Sequence, residues 1–205
     1  HIVARVKAML PHVVVALGGP EFLGENESYL QYHTEVDCVF RGEGEESFAQ
    51  WIDVWDRSEA WGDIPGLCYV RDGGYHDQGV ARVMDFAALH APEESPLFVW
   101  GKPFVQVETT RGCFNSCAFC VSGMGDPIRT LSIDTIRQRL SKIQEQGIRD
   151  VRILDRTFNF HPNQAISLLE LFAEFHPNLR FHLEIHPALL PQSVREVLTS
   201  LPNGL

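Results

Sequence analysis

Three cysteines, Cys113, Cys117 and Cys120, follow a predicted strand in the spacing C-x3-C-x2-C. Such a loop can bring three thiolates together around a small volume, as an iron–sulfur cluster or a zinc ion requires. Structural zinc normally takes four protein ligands, often as two C-x2-C pairs, and the sequence offers no obvious second pair. Three thiolates can hold three irons of a 4Fe–4S cluster and leave the fourth iron open to a cofactor. The spacing therefore favours an iron–sulfur cluster, with zinc as the alternative.

The sequence also suggests roles for the residues that flank this loop and for the other two cysteines. Arg111 and Arg129 flank it, and either could neutralise a cluster, bind a cofactor carboxylate or form a salt bridge within the protein. Gly112 precedes the first cysteine of the loop, where a glycine lets the backbone approach a bulky group. The remaining cysteines, Cys38 and Cys68, lie far upstream and are interpreted as buried thiols.

The elements that must position the cysteine loop alternate between strand and helix. The predicted strands are 104–109, 150–154 and 180–185, the predicted helices are 132–146, 161–176 and 191–200, and the loop is 110–131. Ser132 is the expected N-cap of the first of these helices, Gly147 follows its end, and Pro162 and Pro191 fall near the first turns of the next two. Three consecutive βα units indicate the first part of a parallel barrel or an open doubly wound sheet.

Polar residues follow or lie in the later strands of this pattern. Asp155 and Asn159 come after the second strand, at the end where barrels place their catalytic residues. Asp155 could accept a hydrogen bond from a cofactor ammonium group or cap the following helix. Glu184 alternates with apolar neighbours and shares a face with His182 and His186, which indicates either a cofactor or barrel-interior role or a surface position.

The first half of the chain predicts part of a second parallel sheet. A helix over 2–10 precedes strands over 13–17 and 36–40, and a helix carrying Trp51 follows. The strands end at Gly18-Gly19 and at Gly42-x-Gly44, where doubly wound sheets bind cofactors, although glycines that simply permit tight turns explain the pattern equally. Residues 57–100 predict a linker with a β-hairpin at Asp72-Gly73-Gly74, so the predicted domains are 1–56, 57–100 and 101–205.

Length and charge exclude several classes. A complete eight-unit barrel needs about 250 residues, so any barrel in these 205 residues is partial. With 17 basic and 27 acidic residues the net charge is −10, which disfavours nucleic acid as a partner. Apolar runs are too short to span a membrane and no signal peptide is evident, so we expect a cytoplasmic protein. We also expect a piece of a longer chain, because the sequence begins with His1.

The loop ETTRGCFNSCAFC, with Phe119 before its last cysteine, resembles the signature of the radical S-adenosylmethionine (SAM) superfamily. The resemblance implies that Cys113, Cys117 and Cys120 bind a 4Fe–4S cluster and that Phe119 contacts the adenine of SAM. It further implies that Asp155 and Glu184 bind SAM, which the reduced cluster cleaves to methionine and a 5′-deoxyadenosyl radical. An electron donor such as flavodoxin or ferredoxin and a small-molecule substrate follow from this chemistry.

Nearly the whole chain resembles the radical SAM enzymes that carry an N-terminal cobalamin-binding domain. The matching segments are VVVALGGPEF, VDCVFRGEGEESF, IPGLCYVRDGG and VRILDRTFN. This group includes methylases and magnesium-protoporphyrin IX monomethyl ester oxidative cyclases, so the resemblance implies methylation, cyclisation or related chemistry, with tetrapyrroles among the substrates. It also implies that Gly18, Gly19, Gly42 and Gly44 contact cobalamin in the full-length protein. The D-x-H-x-x-G motif, whose histidine ligates cobalt in some relatives, is absent from this chain.

The expected fold class is therefore α/β, with a partial doubly wound, cobalamin-domain-like parallel sheet followed by a partial radical SAM (β/α) barrel. The alternative function is a non-catalytic cobalamin-binding or iron–sulfur electron-transfer module, in which a fourth protein ligand would close the cluster. We expect the isolated chain to be inactive and to self-associate, since incomplete sheets expose strand edges.

Overall fold

Two units, His1–Met84 and Asp85–Leu205, make up the chain. A computed structural model describes residues 1–120 and 127–201. This boundary at 84/85 differs from the predicted divisions at 56/57 and 100/101, because the predicted hairpin belongs to the first unit. In the part of the chain that the structure describes, no helix is long and apolar enough to cross a membrane.

The first unit is a four-stranded sheet with three α-helices. Its helices are α1 (Ile2–Met9), α2 (Glu27–Tyr32) and α3 (Glu45–Ile52), and its strands are β1 (Ala16–Leu17), β2 (Cys38–Phe40), β3 (Leu67–Arg71) and β4 (Gly74–Asp77). The strand order is β1-β2-β3-β4. β1 and β2 pair in parallel, which confirms the predicted parallel pair, whereas β3 and β4 continue the sheet in antiparallel fashion. The hairpin predicted within residues 57–100 is present, and its pairing with β2 extends this sheet.

Both faces of the first sheet are covered by apolar side chains. Cys38 lies with Phe40 and Trp51 in one cluster, whereas Cys68 lies with Leu30 in the other. The two thiols are both buried, as predicted, and belong to different clusters. Helix α1 contributes little to this core: none of its residues is buried and Ile2 is 80% exposed, although Val3 packs against the cluster that contains Cys68.

The second unit contains the three predicted βα units. Its helices are α4 (Ile133–Glu145), α5 (Pro162–Phe175) and α6 (Gln192–Ser200), and its strands are β5 (Val105–Val107), β6 (Thr110–Arg111), β7 (Arg129–Thr130), β8 (Asp150–Ile153) and β9 (Arg180–His182). β5, β8 and β9 form a parallel sheet in that order. The third strand ends at residue 182 rather than at the predicted 185, and the helices match the prediction to within one residue at each end.

Alternation along the parallel strands places one face against the helices. Val107, Val151 and Ile153 are buried in one cluster with the apolar side chains of α4 and α5, such as Leu140 and Phe172. Complete burial of each such side chain contributes about 1.5–3 kcal/mol. This core holds the carboxyl ends of the strands in place, and the cysteine loop leaves the sheet from there.

Helix starts in this unit follow the sequence signals. Ser132 caps α4, because its Oγ accepts a hydrogen bond from the backbone N–H of Thr135 at 3.1 Å. Pro162 is the first residue of α5, where its missing N–H costs nothing. Pro191 stands one residue before α6, at the N-cap.

Candidate functional site

A short antiparallel pair forms the neck of the cysteine loop. β6 and β7 pair Thr110 with Thr130 and Arg111 with Arg129. One step closer to the sheet, the N–H of Leu131 donates to the carbonyl oxygen of Thr109 at 2.9 Å. Residues 112–120, which carry the three cysteines, therefore leave this neck beyond the carboxyl end of β5.

Gly112 is required where the neck opens into the loop. Its φ is +104°, and a Cβ atom built on it would lie 2.8 Å from the carbonyl oxygen of Pro127. A side chain would therefore be strained and would collide with the opposite strand of the neck. The predicted need for glycine arises here from the approach of two backbone segments.

The three loop cysteines differ in exposure. Cys113 is 6% exposed, whereas Cys117 and Cys120 are both exposed, and the N–H of Cys120 donates to the carbonyl oxygen of Cys117 at 3.0 Å. Within residues 1–120 and 127–201, no three His, Cys, Asp or Glu side chains lie close enough to hold a metal ion. The structure thus places the three thiols in one loop without gathering them around one point.

The chemistry of this donor set nevertheless fits an iron–sulfur cluster. Three thiols in one short loop can supply three thiolate ligands, and two of them are already exposed to an incoming cluster. Phe119, which lies between the two exposed cysteines, is 92% exposed, so its ring is free to stack on a ligand.

Asp155 is buried beneath the neck. Its Oδ1 accepts hydrogen bonds from the backbone N–H groups of Thr109 at 2.8 Å and Thr110 at 2.9 Å, and its Oδ2 accepts one from the Thr109 hydroxyl. Burial raises the pKa of Asp155, while these hydrogen bonds act in the opposite direction. The predicted helix-cap role is not seen, because α5 begins only at Pro162 and its N-cap is His161.

Asn159 fixes a second loop at the same end of the sheet. Its amide nitrogen donates to the carbonyl oxygens of His186 at 3.0 Å and Leu189 at 2.6 Å, and its amide oxygen accepts from the N–H of His186 at 2.8 Å. The segment after β9 is therefore held to the segment after β8. Asn159 is 1% exposed and satisfies backbone groups, which is a structural role.

Glu184 lies just beyond the end of β9. Its side chain is exposed, as is that of His182, and its carbonyl oxygen accepts a hydrogen bond from the N–H of Phe158 at 3.0 Å. The structure therefore gives Glu184 a surface position in this chain, at the same end of the sheet as the cysteine loop. His186 lies at the same end of the sheet, is partly buried, and is bound to Asn159 through its backbone.

Two ion pairs adjoin the neck, and one of them, between Arg139 and Glu93, was not predicted from the sequence. The guanidinium of Arg111 forms a salt bridge with Glu108, with an Nη2–Oε2 distance of 2.8 Å, and lies over the Phe86 ring at 4.8 Å. Arg139 donates to the Glu108 carbonyl oxygen at 3.4 Å and pairs with the buried carboxylate of Glu93 at 2.8 Å. Of the alternatives for Arg111, the structure shows the salt bridge, and the spacing E-T-T-R was the signal for it.

The glycines after β1 and β2 are not equivalent. Gly42 has a φ of +103°, and a Cβ on it would lie 2.3 Å from the carbonyl oxygen of Ala81, so this position is closed by the chain itself. Gly19 has a φ of +109° with nothing within 4 Å of its Cβ position, and Gly44 is equally open. A Cβ atom built on Gly18 would lie 3.7 Å from the Cβ of Phe40. The chain itself therefore fills the Cβ position of Gly42, whereas those of Gly19 and Gly44 are open.

Comparisons with known proteins show which protein family the sheet and the cysteine loop of the second unit resemble. Residues 107–202 match the family model of the Radical SAM superfamily. The parallel βα units and the cysteine loop after the first of their strands lie in this range. Residues 107–202, within the second unit, therefore match the radical SAM superfamily, and the predicted fold class is confirmed.

Its relatives are methyltransferases. The chain is 29% identical over 178 residues to an uncharacterized methyltransferase of Pyrococcus horikoshii, with 82% of this chain and 39% of the relative covered. It is 26% identical over 177 residues to the cobalamin-dependent radical SAM methyltransferase TokK of Streptomyces tokunonensis, covering 77% and 25% of the two chains. The structure of the radical SAM methyltransferase TsrM from Kitasatospora setae matches with a TM-score of 0.74 at 18% identity, over 96% of this chain and 41% of that chain. The chain thus spans 25% to 41% of the length of these proteins.

Proposed function

We propose that this chain is the cluster-bearing part of a radical SAM methyltransferase, which holds a 4Fe–4S cluster through Cys113, Cys117 and Cys120 and binds SAM beside it. One observation carries the proposal: the three thiols lie in a single loop beyond the carboxyl end of the first strand of a parallel sheet. Barrels of this kind place their chemistry at that end. When bound and reduced, the cluster supplies an electron for cleavage of the carbon–sulfur bond in SAM.

The chain's own residues divide the remaining tasks. The exposed ring of Phe119 is placed to pack on an adenine, and the exposed carboxylate of Glu184 is placed to accept hydrogen bonds from a polar cofactor group. Asp155 is 0% exposed with both carboxylate oxygens engaged, so a direct SAM contact from this residue is less well supported. The small-molecule substrate and the flavodoxin- or ferredoxin-like electron donor are part of the same proposal.

Methyl transfer is the reaction that the relatives favour. TokK is a cobalamin-dependent methyltransferase, and TsrM is a methyltransferase whose structure was determined with tryptophan and a SAM analogue. The relatives reported above give no support to the oxidative cyclase chemistry implied by the sequence resemblance. For cobalamin, the first unit of this chain would contribute Gly18, Gly19 and Gly44, of which Gly19 and Gly44 have open space at their Cβ positions.

Iron and sulfide analysis after anaerobic reconstitution tests the cluster. The wild-type chain is expected to bind about four irons, and the triple variant C113A/C117A/C120A to bind none, because three thiolates hold the cluster. The double variant C38A/C68A is the matched control, since both of its cysteines lie in the first unit and should not affect loading. Equal iron in the wild type and the triple variant, or zinc in place of iron, would overturn the proposal.

A further inference from the structure

The carboxylate of Asp155 joins two parts of the second unit that are 45 and 46 residues apart in sequence. It follows β8, yet every hydrogen bond recorded for its side chain goes to Thr109 or Thr110, which lead from β5 into the neck of the cysteine loop. Thr109 and Asp155 are both 0% exposed, and Thr110 is buried as well. Water therefore does not compete for these hydrogen bonds.

We propose that Asp155 is a positioning residue, which sets the direction in which the cysteine loop leaves the sheet and so prepares its thiols for the cluster. The inference rests on the proposed function, because it concerns how the chain prepares for that cluster. Thr109 connects both sides of the neck, since its N–H donates to Asp155 and its carbonyl oxygen accepts from Leu131 at 2.9 Å. Cys113 follows Thr109 by only four residues, so a shift of this anchor is transmitted directly to the first thiol.

Both oxygens of the Asp155 carboxylate act as acceptors. Two backbone N–H groups converge on Oδ1 and a hydroxyl donates to Oδ2. A carboxylate satisfies all three donors, whereas an asparagine amide has only one acceptor oxygen. Replacement by asparagine keeps the size of the side chain, but the Thr109 hydroxyl must then accept from the new NH₂ group instead of donating, and amide hydrogen bonds, which are weaker than those of a carboxylate, replace the others. The asparagine variant therefore loosens the anchor without creating a cavity.

Two other roles for this carboxylate are disfavoured by its position. It does not cap α5, whose N-cap is His161, and its complete burial leaves no surface for a ligand to reach. The side chain must therefore act through the backbone that it holds. Replacing a residue that does not bind the metal but orients one of its ligands typically changes metal affinity by about 10–100-fold.

Iron retention by D155N is the test, with D150N as the matched control. Asp150 is the first residue of β8, the strand that Asp155 follows, and it is half-exposed and pairs with Arg180, away from Thr109. In competition with an iron chelator, reconstituted D155N is expected to lose iron at about 10–100-fold lower chelator concentration than the wild type. D150N should match the wild type, and the electron paramagnetic resonance (EPR) spectrum of the reduced cluster should change only in D155N. Retention by D155N equal to that of D150N would overturn the proposal.

A second variant covers the case in which D155N does not fold. T109V removes the hydroxyl donor with little change in shape and should also weaken iron retention, whereas T130V, on the other strand of the neck, should not. If the wild type binds no iron, the proposed function fails. Hydrogen exchange then tests separately whether Asp155 holds the backbone of Thr109 and Thr110. The amides of these two residues should lose protection in D155N and keep it in D150N. Unchanged protection in both variants would refute the positioning role.

Discussion

Replacing Gly42 by alanine tests whether this glycine serves the fold or a ligand. At Gly42 the backbone has a φ of +103°, and the new Cβ would lie 2.3 Å from the carbonyl oxygen and 2.9 Å from the nitrogen of Ala81. The strand bridge between these residues carries two hydrogen bonds, from Glu43 N to Ala81 O at 3.0 Å and from Ala81 N to Arg41 O at 2.9 Å. Backbone strain and the displaced bridge together should cost about 3–5 kcal/mol of unfolding free energy.

Two neighbouring glycines provide graded controls. G19A introduces a side chain at a φ of +109° but meets nothing within 4 Å, so strain alone should cost about 1–3 kcal/mol. G44A has a φ of −91° and open space, and should cost less than about 1 kcal/mol. Urea unfolding followed by tryptophan fluorescence measures the difference, since Trp51, Trp55 and Trp61 all lie in the first unit. A loss for G42A no larger than that for G19A would refute the steric argument.

Three further predictions concern single side chains. Iodoacetamide at pH 8 should alkylate the exposed Cys117 and Cys120 in the folded chain but spare Cys38, because burial raises the pKa of Cys38 to about 12 and only the thiolate reacts. Peptide mass spectrometry measures the labelling of each cysteine, and early labelling of Cys38 would contradict the prediction. S132A should lower the unfolding free energy of the second unit by about 1 kcal/mol, because the Thr135 N–H loses its hydrogen bond to the Ser132 hydroxyl. An unchanged midpoint of urea unfolding, measured by circular dichroism, would count against this prediction. F119A should weaken SAM binding to the reconstituted chain by about 1–3 kcal/mol in calorimetry without changing its iron content. Equal SAM affinity of F119A and the wild type would show that Phe119 does not contact SAM.

Local signals predicted the second unit well. The apolar periodicity of α4, the serine at its start and the proline at the first position of α5 act over a few residues, so the sequence reveals them directly. The end of β9 was less predictable, because the alternation of Leu183 to Ile185 continues past the last paired residue, His182. Pairing with a neighbour, rather than pattern, decides where a strand ends.

Contacts between distant segments were the part that the sequence concealed. The hairpin of β3 and β4 carries no sign that it pairs with β2, and it was therefore assigned to a linker. Asp155 and Asn159 were recognised as polar residues after a strand, but their hydrogen bonds reach backbone groups 27 to 46 residues away. Such bonds leave no periodic pattern, so a ligand-binding role and a structural role look the same in the sequence.

The central claim is that the cysteine loop holds a cluster with one iron left open to SAM. EPR spectroscopy of the anaerobically reconstituted and reduced chain, recorded with and without SAM, tests it most directly. Three protein thiolates from Cys113, Cys117 and Cys120 leave one iron for the cofactor, so addition of SAM should change the spectrum of the cluster. A cluster spectrum that SAM does not alter would contradict the claim and indicate a fourth protein ligand, as in an electron-transfer module.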